Sequence, residues 1–220
     1  TLCTGSRDQE NMWRAHPEND TPTAWKDMVR SMREIVSIAE ESDVTMGIEP
    51  EVNNVVSSAV KARKLLDEVG SRHLKIVMDA ANLFAAGQLG EMQEVLDEAL
   101  ELLGPDIVLA HAKDLSHDGD AGHEAAGTGK LDYDYYLAGL RRVGFDGPLV
   151  AHGLTEAQVP QCVEFCEENW RDSSSLAGIA QFPRKEIMLH FNRDCTRFHY
   201  RDTGYHADGA RHRLRDPCSL

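Results

Sequence analysis

Four stretches of the sequence end a short apolar run in a side chain that can bind a metal or move a proton. They are GIE, KIVMD, IVLAH and PLVAH, which end on Glu49, Asp79, His111 and His152. Taken singly, such a residue is explained by a hydrogen-bonded core histidine or a helix-capping acid. Taken together, carboxylates and imidazoles suit manganese, zinc, cobalt or iron better than calcium. We therefore predict that the four residues share one divalent metal, which would act as a Lewis acid on a carbonyl or a pair of hydroxyls.

Lys113 and several loop residues are candidates for contact with a substrate. Lys113 lies two positions after His111, and side chains alternate faces along an extended chain, so both point to one face. There Lys113 could neutralise a developing oxyanion or bind an anionic group, and Glu49 and His152 are the candidate bases. The remaining substrate-binding candidates are polar or aromatic residues of the loops beside the strand ends, namely Arg7, Trp13, His16, Glu51, Asn53 and Asn82. The segment that carries Arg7, Trp13 and His16 is also explained as a surface loop pinned by one tryptophan.

A parallel β/α array would bring these residues together. Apolar runs alternate with amphipathic patterns along the chain, and parallel strands need helical crossovers. The carboxyl ends of such strands meet at one edge of the sheet, where ligands bind. Strands are predicted at Thr1–Gly5, Val44–Glu49, Leu74–Asp79, Ile107–Asp114 and Pro148–His152, and helices at Thr21–Ser42, Val55–Val69, Gln88–Leu103, Tyr133–Val143 and Thr155–Arg171.

The character of the sequence changes after Arg171. The stretch that follows reads as a linker, and beyond it arginines and histidines occur without a helical stripe. We predict that residues 1–171 form the β/α domain and that residues 172–220 are a linker and an appended tail that does not extend the β/α array. Within the tail, Leu189–Asn192 and Thr196–Arg201 are predicted to pair as a small hairpin.

Composition excludes some classes of function and partner. The formal net charge of -14 disfavours a nucleic-acid partner, because such proteins use a basic face to replace counterions. No apolar run reaches the length of a membrane span, so we expect no membrane association and a cytoplasmic location. The five cysteines are an odd number without zinc-site spacing, which favours reduced thiols. Cys162 and Cys166, one helical turn apart, are interpreted as part of a packed helix face.

Several motifs resemble the sugar phosphate isomerase/epimerase group of xylose-isomerase-like TIM barrels. The resemblance rests on GIEPE, MDAANLF, AHAKDL, the GTG of Gly127–Gly129 and GPLVAHGL, and it covers residues 1 to about 171. It implies a (β/α)8 barrel of which this sequence holds the fourth to eighth units, with the first three outside it. An open parallel edge at Thr1–Gly5 would favour self-association, so a homo-oligomer is a candidate assembly. In the tail, MLHFNRDCTRFHYRDTG resembles the opening strands of α/β-hydrolases.

The resemblance implies metal ligation by Glu49, Asp79 and His111, with manganese, zinc, cobalt or magnesium as the cofactor. It also implies a glutamate on the last strand, where this sequence has His152, and often a histidine where it has Asn82. The predicted function is a metal-dependent isomerase or epimerase of a small sugar, sugar phosphate or polyol, with a small carbohydrate as the substrate. The alternatives are a non-catalytic sugar-binding barrel that lost the last glutamate and an inosose-type dehydratase. Phosphodiester cleavage, as in endonuclease IV, is disfavoured by the acidic charge.

Overall fold

The computed structural model describes residues 1–176 and 187–189. The strands of this part of the chain are β1 (Leu2–Cys3), β2 (Met46–Glu49), β3 (Leu74–Met78), β4 (Ile107–Asp114), β5 (Glu124–Ala125), β6 (Leu149–Ala151) and β7 (Ile187–Leu189). Its α-helices are α1 (Pro22–Glu41), α2 (Ala59–Val69), α3 (Met92–Leu103), α4 (Tyr133–Arg142) and α5 (Val159–Leu176).

The strands form one sheet in which neighbours follow the order β1-β2-β3-β4-β6-β7 and every neighbouring pair is parallel. Short β5 is an exception, because it folds back and pairs antiparallel with the end of β4. Helices α1 to α4 connect successive parallel strands, and the sheet order of those strands follows the chain. The parallel β/α array predicted from the sequence is thereby confirmed.

Local capping explains where the first two helices begin. The Thr21 side chain accepts a hydrogen bond from the backbone N–H of Ala24, and Pro22 occupies the first turn of α1, as the sequence predicts. Helix α2 begins later than predicted, because Ser58 caps it by accepting from Lys61 N–H. Val55, the predicted first residue of this helix, instead donates its backbone N–H to the carbonyl of Gly5 and belongs to the loop beside β1.

Helices α3 and α5 also begin after the predicted residues. A 3-10 turn at Leu89–Glu91 precedes α3, and another at Glu156–Gln158 precedes α5. The side chain of Gln158 accepts from the backbone N–H of Thr155, which closes that second turn. The amphipathic pattern therefore located both helices correctly, but the predicted helices also included the 3-10 turn that precedes each of them.

The predicted boundary at residue 171 is not a boundary of regular structure. Helix α5 continues to Leu176, and β7 pairs parallel with β6 through the register Leu149↔Ile187 and Ala151↔Leu189. The prediction that nothing after residue 171 extends the parallel array, Leu189 included, was therefore wrong. The remainder of the predicted hairpin and the hydrolase-like segment lie outside the described residues, and the assignment of a separate tail stays a prediction.

The core lies between the sheet and the helices that cover it. Strand residues such as Ile48, Ile76 and Leu149 are completely buried, and they pack against helix residues such as Leu65 and Leu100. Both the helix-facing side and the opposite side of the strands carry buried residues, as expected of parallel strands. None of the described helices has the length and apolarity needed to cross a membrane.

Candidate metal centre

Three predicted ligands converge at the carboxyl edge of the sheet. Asp79 follows β3, His111 lies near the end of β4, and His152 follows β6. One potential ligand atom from each of these residues lies within 4.8 Å of the others. The rings of His111 and His152 stack with centroids 4.9 Å apart and an angle of 6° between their planes. The convergence follows from the register, because His111 pairs with Val150 and the end of β3 lies beside β4.

This donor set fits a divalent metal. Nitrogen and oxygen ligands lie about 2.0–2.2 Å from zinc, so two ligands of one ion are separated by no more than about 4.4 Å. Donor atoms within 4.8 Å could therefore share an ion after shifts of a few tenths of an ångström. Two imidazoles and a carboxylate are also a donor combination that first-row transition metals accept.

The fourth predicted ligand, Glu49, adjoins this cluster. Its Oε1 atom lies 3.6 Å from His111 Nδ1, and its side chain is 12 % exposed. Asn82 donates its Nδ2–H to the same Oε1 atom at 2.7 Å. Because Asp79 caps the 3-10 turn Ala80–Asn82 by accepting from Ala81 N–H, this predicted ligand also positions the residue that orients Glu49.

Lys113 lies directly against the predicted ligands. Its Nζ atom is 2.8 Å from Asp79 Oδ2 and donates to Asn82 Oδ1 at 2.8 Å. The lysine is 4 % exposed and Asp79 is completely buried, so the pair lies out of contact with bulk water. Asn82 therefore uses both ends of its amide inside the protein, one for Glu49 and one for Lys113. This arrangement makes Asn82 an orienting residue in this structure, and its predicted contact with substrate stays untested.

Neighbouring charges determine the titration of Asp79 and His111. Burial acts to raise the pKa of Asp79, but Lys113 and His111 outweigh it and hold that pKa well below its usual range. Burial acts to lower the pKa of His111, but hydrogen bonding and charge from Asp79 and Glu49 outweigh it and raise the pKa to about 9. A metal that binds His111 must displace this proton, because only neutral imidazole is a ligand.

Helix α4 holds the backbone beneath the cluster. The hydroxyl of Tyr133 donates to the carbonyl of Lys113 at 3.0 Å, and the hydroxyl of Tyr136 lies 3.3 Å from the carbonyls of Met78 and His111. Both tyrosines are buried. The ends of β3 and β4 are thereby tied to one helix, which keeps their side chains in a constant relation.

Glu51 and Asn53, predicted to bind substrate, lie in a polar network on the loop after β2. Glu51 accepts from the backbone N–H of Asn53 and from the amide of Asn54, and Asn53 donates to Asp120 at 2.6 Å. Burial raises the pKa of Glu51 to about 7, Asp120 and Glu49 add to the shift, and Lys113 and the Asn53 hydrogen bond oppose it. Asp120 was missed from the sequence, because its glycine-rich loop carries no periodic pattern that would place it here.

The residues predicted from loop 6–20 do not join the cluster. Arg7 pairs with Asp27 on α1 at 2.6 Å. The His16 side chain accepts from Glu18 N–H and caps a 3-10 turn, and Trp13 is 50 % exposed. The loop is nevertheless anchored beside the site, since Asn19 donates to the carbonyl of Asn53 at 2.8 Å.

Cys3 is a further residue near the site that the sequence did not single out. It pairs in register with Glu49, so its strand position matches that of the ligand. Burial, followed by the charges of Glu49 and Glu51, raises its pKa to about 11, and the thiol is therefore not a ready thiolate. Its place at the end of β1 is the signal by which it could have been found.

The sequence matches a family model over residues 1–170, and the family is described as the xylose isomerase-like TIM barrel. The chain belongs to this family. The parallel sheet with polar side chains at its carboxyl edge agrees with the barrel architecture. The motif resemblance drawn from the sequence is confirmed.

A curated protein and several solved structures are similar to this xylose isomerase-like barrel. A ketose 3-epimerase of Arthrobacter globiformis is 24% identical over 148 residues, which are 63% of this chain and 47% of that protein. The chain thus spans about half the length of this curated relative. A D-tagatose 3-epimerase-like protein superposes with a TM-score of 0.59 at 17% identity, over 70% of this chain and 57% of that one.

The chain also superposes on the structure of the IolI protein with a bound zinc atom. It has a TM-score of 0.51 and 21% identity, and the match covers 68% of this chain and 55% of that one. At this level of identity the structural similarity establishes the fold. The chain therefore has epimerase relatives, a relative that binds a metal, and a three-residue cluster of its own that could hold one.

Proposed function

We propose that this barrel is part of a metal-dependent isomerase or epimerase that acts on a small sugar, sugar phosphate or polyol. The observation that carries the proposal is the convergence of Asp79, His111 and His152 within 4.8 Å at the strand ends, with Glu49 beside His111. The epimerase relative and the zinc-containing structure support the same chemistry. A small carbohydrate is the proposed partner.

Four residues would hold the metal: Glu49, Asp79, His111 and His152. When bound, a divalent ion such as manganese, zinc, cobalt or magnesium polarises a carbonyl and makes the neighbouring C–H bond more acidic. The identity of the ion is set by geometry and availability as much as by ligand type, so metal content has to be measured directly.

Glu49 is the proposed base. Asn82 holds its Oε1 atom, which leaves Oε2 to take a proton from the carbon next to the substrate carbonyl. The bonding electrons move to the carbonyl oxygen, and the ammonium of Lys113 would neutralise the charge that develops there. Transfer of the hydroxyl proton of the first carbon to this oxygen, and return of the proton from Glu49 to the former carbonyl carbon, complete a 1,2-shift.

His152 determines whether a second base is present. As a ligand it must be neutral, and Glu49 would then work alone, which favours a one-base shift or a dehydration. As a free base it would serve the opposite face of the carbon and permit epimerisation. The variant His152→Glu separates these roles: greater epimerisation at unchanged metal content would show that a second carboxylate base was the missing group.

The test of the proposal is hydrogen exchange with solvent. The chelator-treated protein, reloaded with Mn²⁺, is incubated with D-tagatose or D-fructose in D₂O, and loss of C–H signals next to the carbonyl is followed by NMR. We expect exchange that EDTA abolishes and that Glu49→Gln removes even when Mn²⁺ is raised until the variant is fully loaded. Saturable sugar binding without exchange in any ketose tested would refute turnover and favour the sugar-binding barrel.

A further inference from the structure

The contact between Lys113 and Asp79 has consequences for what the metal site can accept. Asp79 Oδ2 lies 2.8 Å from the ammonium nitrogen of Lys113 and 3.0 Å from His111 Nδ1. A carboxylate oxygen that ligates a metal ion gives up part of its negative charge to that ion. Lys113 and a bound metal would therefore share the negative charge of the same buried oxygen, Asp79 Oδ2.

We propose that Lys113 is a built-in cation that competes with the divalent metal for Asp79 and reserves the metal-loaded site for an anionic oxygen of the substrate. This inference rests on the proposed function, because it assumes that Asp79 is a ligand. It assigns Lys113 two opposing effects, weaker metal binding and stronger binding of an anion.

The balance of charge at the strand ends supports this assignment. The carboxylates of Glu49 and Asp79 together neutralise a divalent ion, and metal-bound imidazoles are neutral. The ammonium of Lys113 is then a surplus positive charge beside the metal. Two further buried carboxylates lie nearby and have partners of their own: Glu51 is hydrogen-bonded to Asn53 and Asn54, and Asp114 accepts from four backbone N–H groups.

Packing prevents Lys113 from leaving the site easily. Asn82 Oδ1 accepts from its Nζ atom at 2.8 Å, and Asn82 Oδ1 is itself fixed by the backbone N–H of Gly122. A Cβ atom at position 153 would lie 3.1 Å from Lys113 Cγ, so Gly153 closes tightly over the lysine stem. Asp79 and Asn82 engage two of the three ammonium donors, and the third can serve an incoming anion.

The chemical class that this site favours is an oxygen with one negative charge beside the metal. A sugar acid brings this charge with it, whereas a neutral ketose develops it when a proton is removed. Glycolate imitates the first source, and acetohydroxamate, which binds as an enediolate-like anion, imitates the second. Ethylene glycol is a neutral ligand of similar size to glycolate.

The experiment measures Mn²⁺ binding by calorimetry for the wild type, Lys113→Met and a matched control, Lys75→Met. Lys75 also lies on a strand and pairs with an aspartate, Asp106, at 2.6 Å, but it lies near the start of β3, away from the site. We expect Lys113→Met to bind Mn²⁺ at least about tenfold more tightly, since a like charge nearby is removed. Lys75→Met should bind Mn²⁺ as the wild type does.

The second arm compares anion binding by the Mn²⁺-loaded proteins. Lys113→Met should lose at least about tenfold in affinity for glycolate, for acetohydroxamate or for both, while its affinity for ethylene glycol changes little. Loss for glycolate alone identifies a charged substrate, and loss for acetohydroxamate identifies charge that develops during turnover. Lys113→Gln, which can still donate to Asp79, should shift both affinities in the same directions and replaces Lys113→Met if that variant is unfolded by circular dichroism.

The outcomes separate this inference from the proposed function. A wild type that binds no Mn²⁺ overturns the metal site and the inference together. If the wild type binds Mn²⁺ and neither Lys113→Met nor Lys113→Gln binds it more tightly, the proposed competition is wrong and the metal site stands. Weaker binding of both Mn²⁺ and the anions would show that Lys113 is merely structural.

Discussion

Individual side chains at the strand ends carry the proposed chemistry, and each can be tested by one substitution. Glu49, Asp79, His111 and His152 lie at the ends of four parallel strands, and loss of one donor leaves the others in place. We expect alanine at any one of them to weaken Mn²⁺ or Zn²⁺ binding by about tenfold or more. Metal titration of the chelator-treated variants measures this.

The control for that series is Cys162→Ala, which changes a buried thiol on α5. Its metal affinity should equal that of the wild type. Equal affinities in the control and in all four variants would rule out a shared site.

Asp114, another buried carboxylate, holds the loop that follows β4. Its Oδ1 atom accepts from the backbone N–H of Leu115 and Leu131, and its Oδ2 atom accepts from Gly127 and Gly129. Asp114→Asn places an NH₂ group against two of these donors. We expect a loss of about 3 kcal/mol in the free energy of unfolding, because buried N–H groups lose their acceptor. Urea unfolding is the measurement.

Asp132→Asn is the matched control, since Asp132 caps α4 by accepting from Tyr135 N–H and asparagine caps equally well. Its stability should change by no more than about 0.5 kcal/mol. Similar losses in both variants would contradict the role given to Asp114.

At the scale of elements, the end of α3 packs against the end of α4 through a glycine. A Cβ atom at Gly104 would lie 2.7 Å from Val143 Cβ and 2.9 Å from its Cγ1. These atoms lie close to the backbone and cannot swing aside, so Gly104→Ala must push the two helix ends apart. We expect a loss of about 1–3 kcal/mol, measured by urea unfolding.

Gly90→Ala serves as the comparison, because no atom lies within 4 Å of the added methyl and its φ is not positive. This variant should be neutral or stabilised by up to about 1 kcal/mol, as the unfolded chain loses freedom. If Gly104→Ala were as stable as Gly90→Ala, the proposed close contact between α3 and α4 would be wrong.

At the scale of the whole molecule, Asp106 joins three parts of the chain. It lies in the turn before β4 and pairs with Arg63 of α2 at 2.7 Å and with Lys75 of β3 at 2.6 Å. Burial acts to raise its pKa, but Lys75 and Arg63 outweigh burial and lower the pKa from its usual value. The pairing therefore stabilises the fold fully above the unfolded-state pKa of about 4, and this stabilisation is lost as the pH falls from that value through the lower folded-state pKa.

We expect Asp106→Asn to lose about 1 kcal/mol at pH 7, since the pairs are partly exposed. The difference from the wild type should shrink between about pH 4.5 and 3. Urea unfolding at several pH values measures this, with Asp27→Asn, which removes the charge of a more exposed pair with Arg7, as the control that should change less. A difference that is constant with pH would show that the charge of Asp106 is not responsible.

The groove between β1 and α1 also belongs to this scale. It has a volume of about 230 Å³ and is lined by apolar residues that include Leu2, Met28 and Ile35. Strand β1 has one parallel neighbour, β2, within the described residues. Self-association through this edge stays a prediction from the sequence.

The sequence by itself determined which residues stand at the strand ends. Glu49, Asp79, His111 and His152 each follow an apolar run, and parallel strands place all carboxyl ends at one edge. These two considerations were sufficient to predict the β/α array and a cluster of the four residues. The structure brings three of them together, with Glu49 beside them.

Only the tertiary structure decided which polar groups bond to one another. The contacts of Lys113 with Asp79 and Asn82, and of Arg7 with Asp27, join residues about 20 to 34 positions apart, and they depend on register and rotamer. No local periodicity encodes such pairings. For the same reason β7 was missed: its three residues are too few for a pattern, and their strand conformation is seen through the pairing with β6.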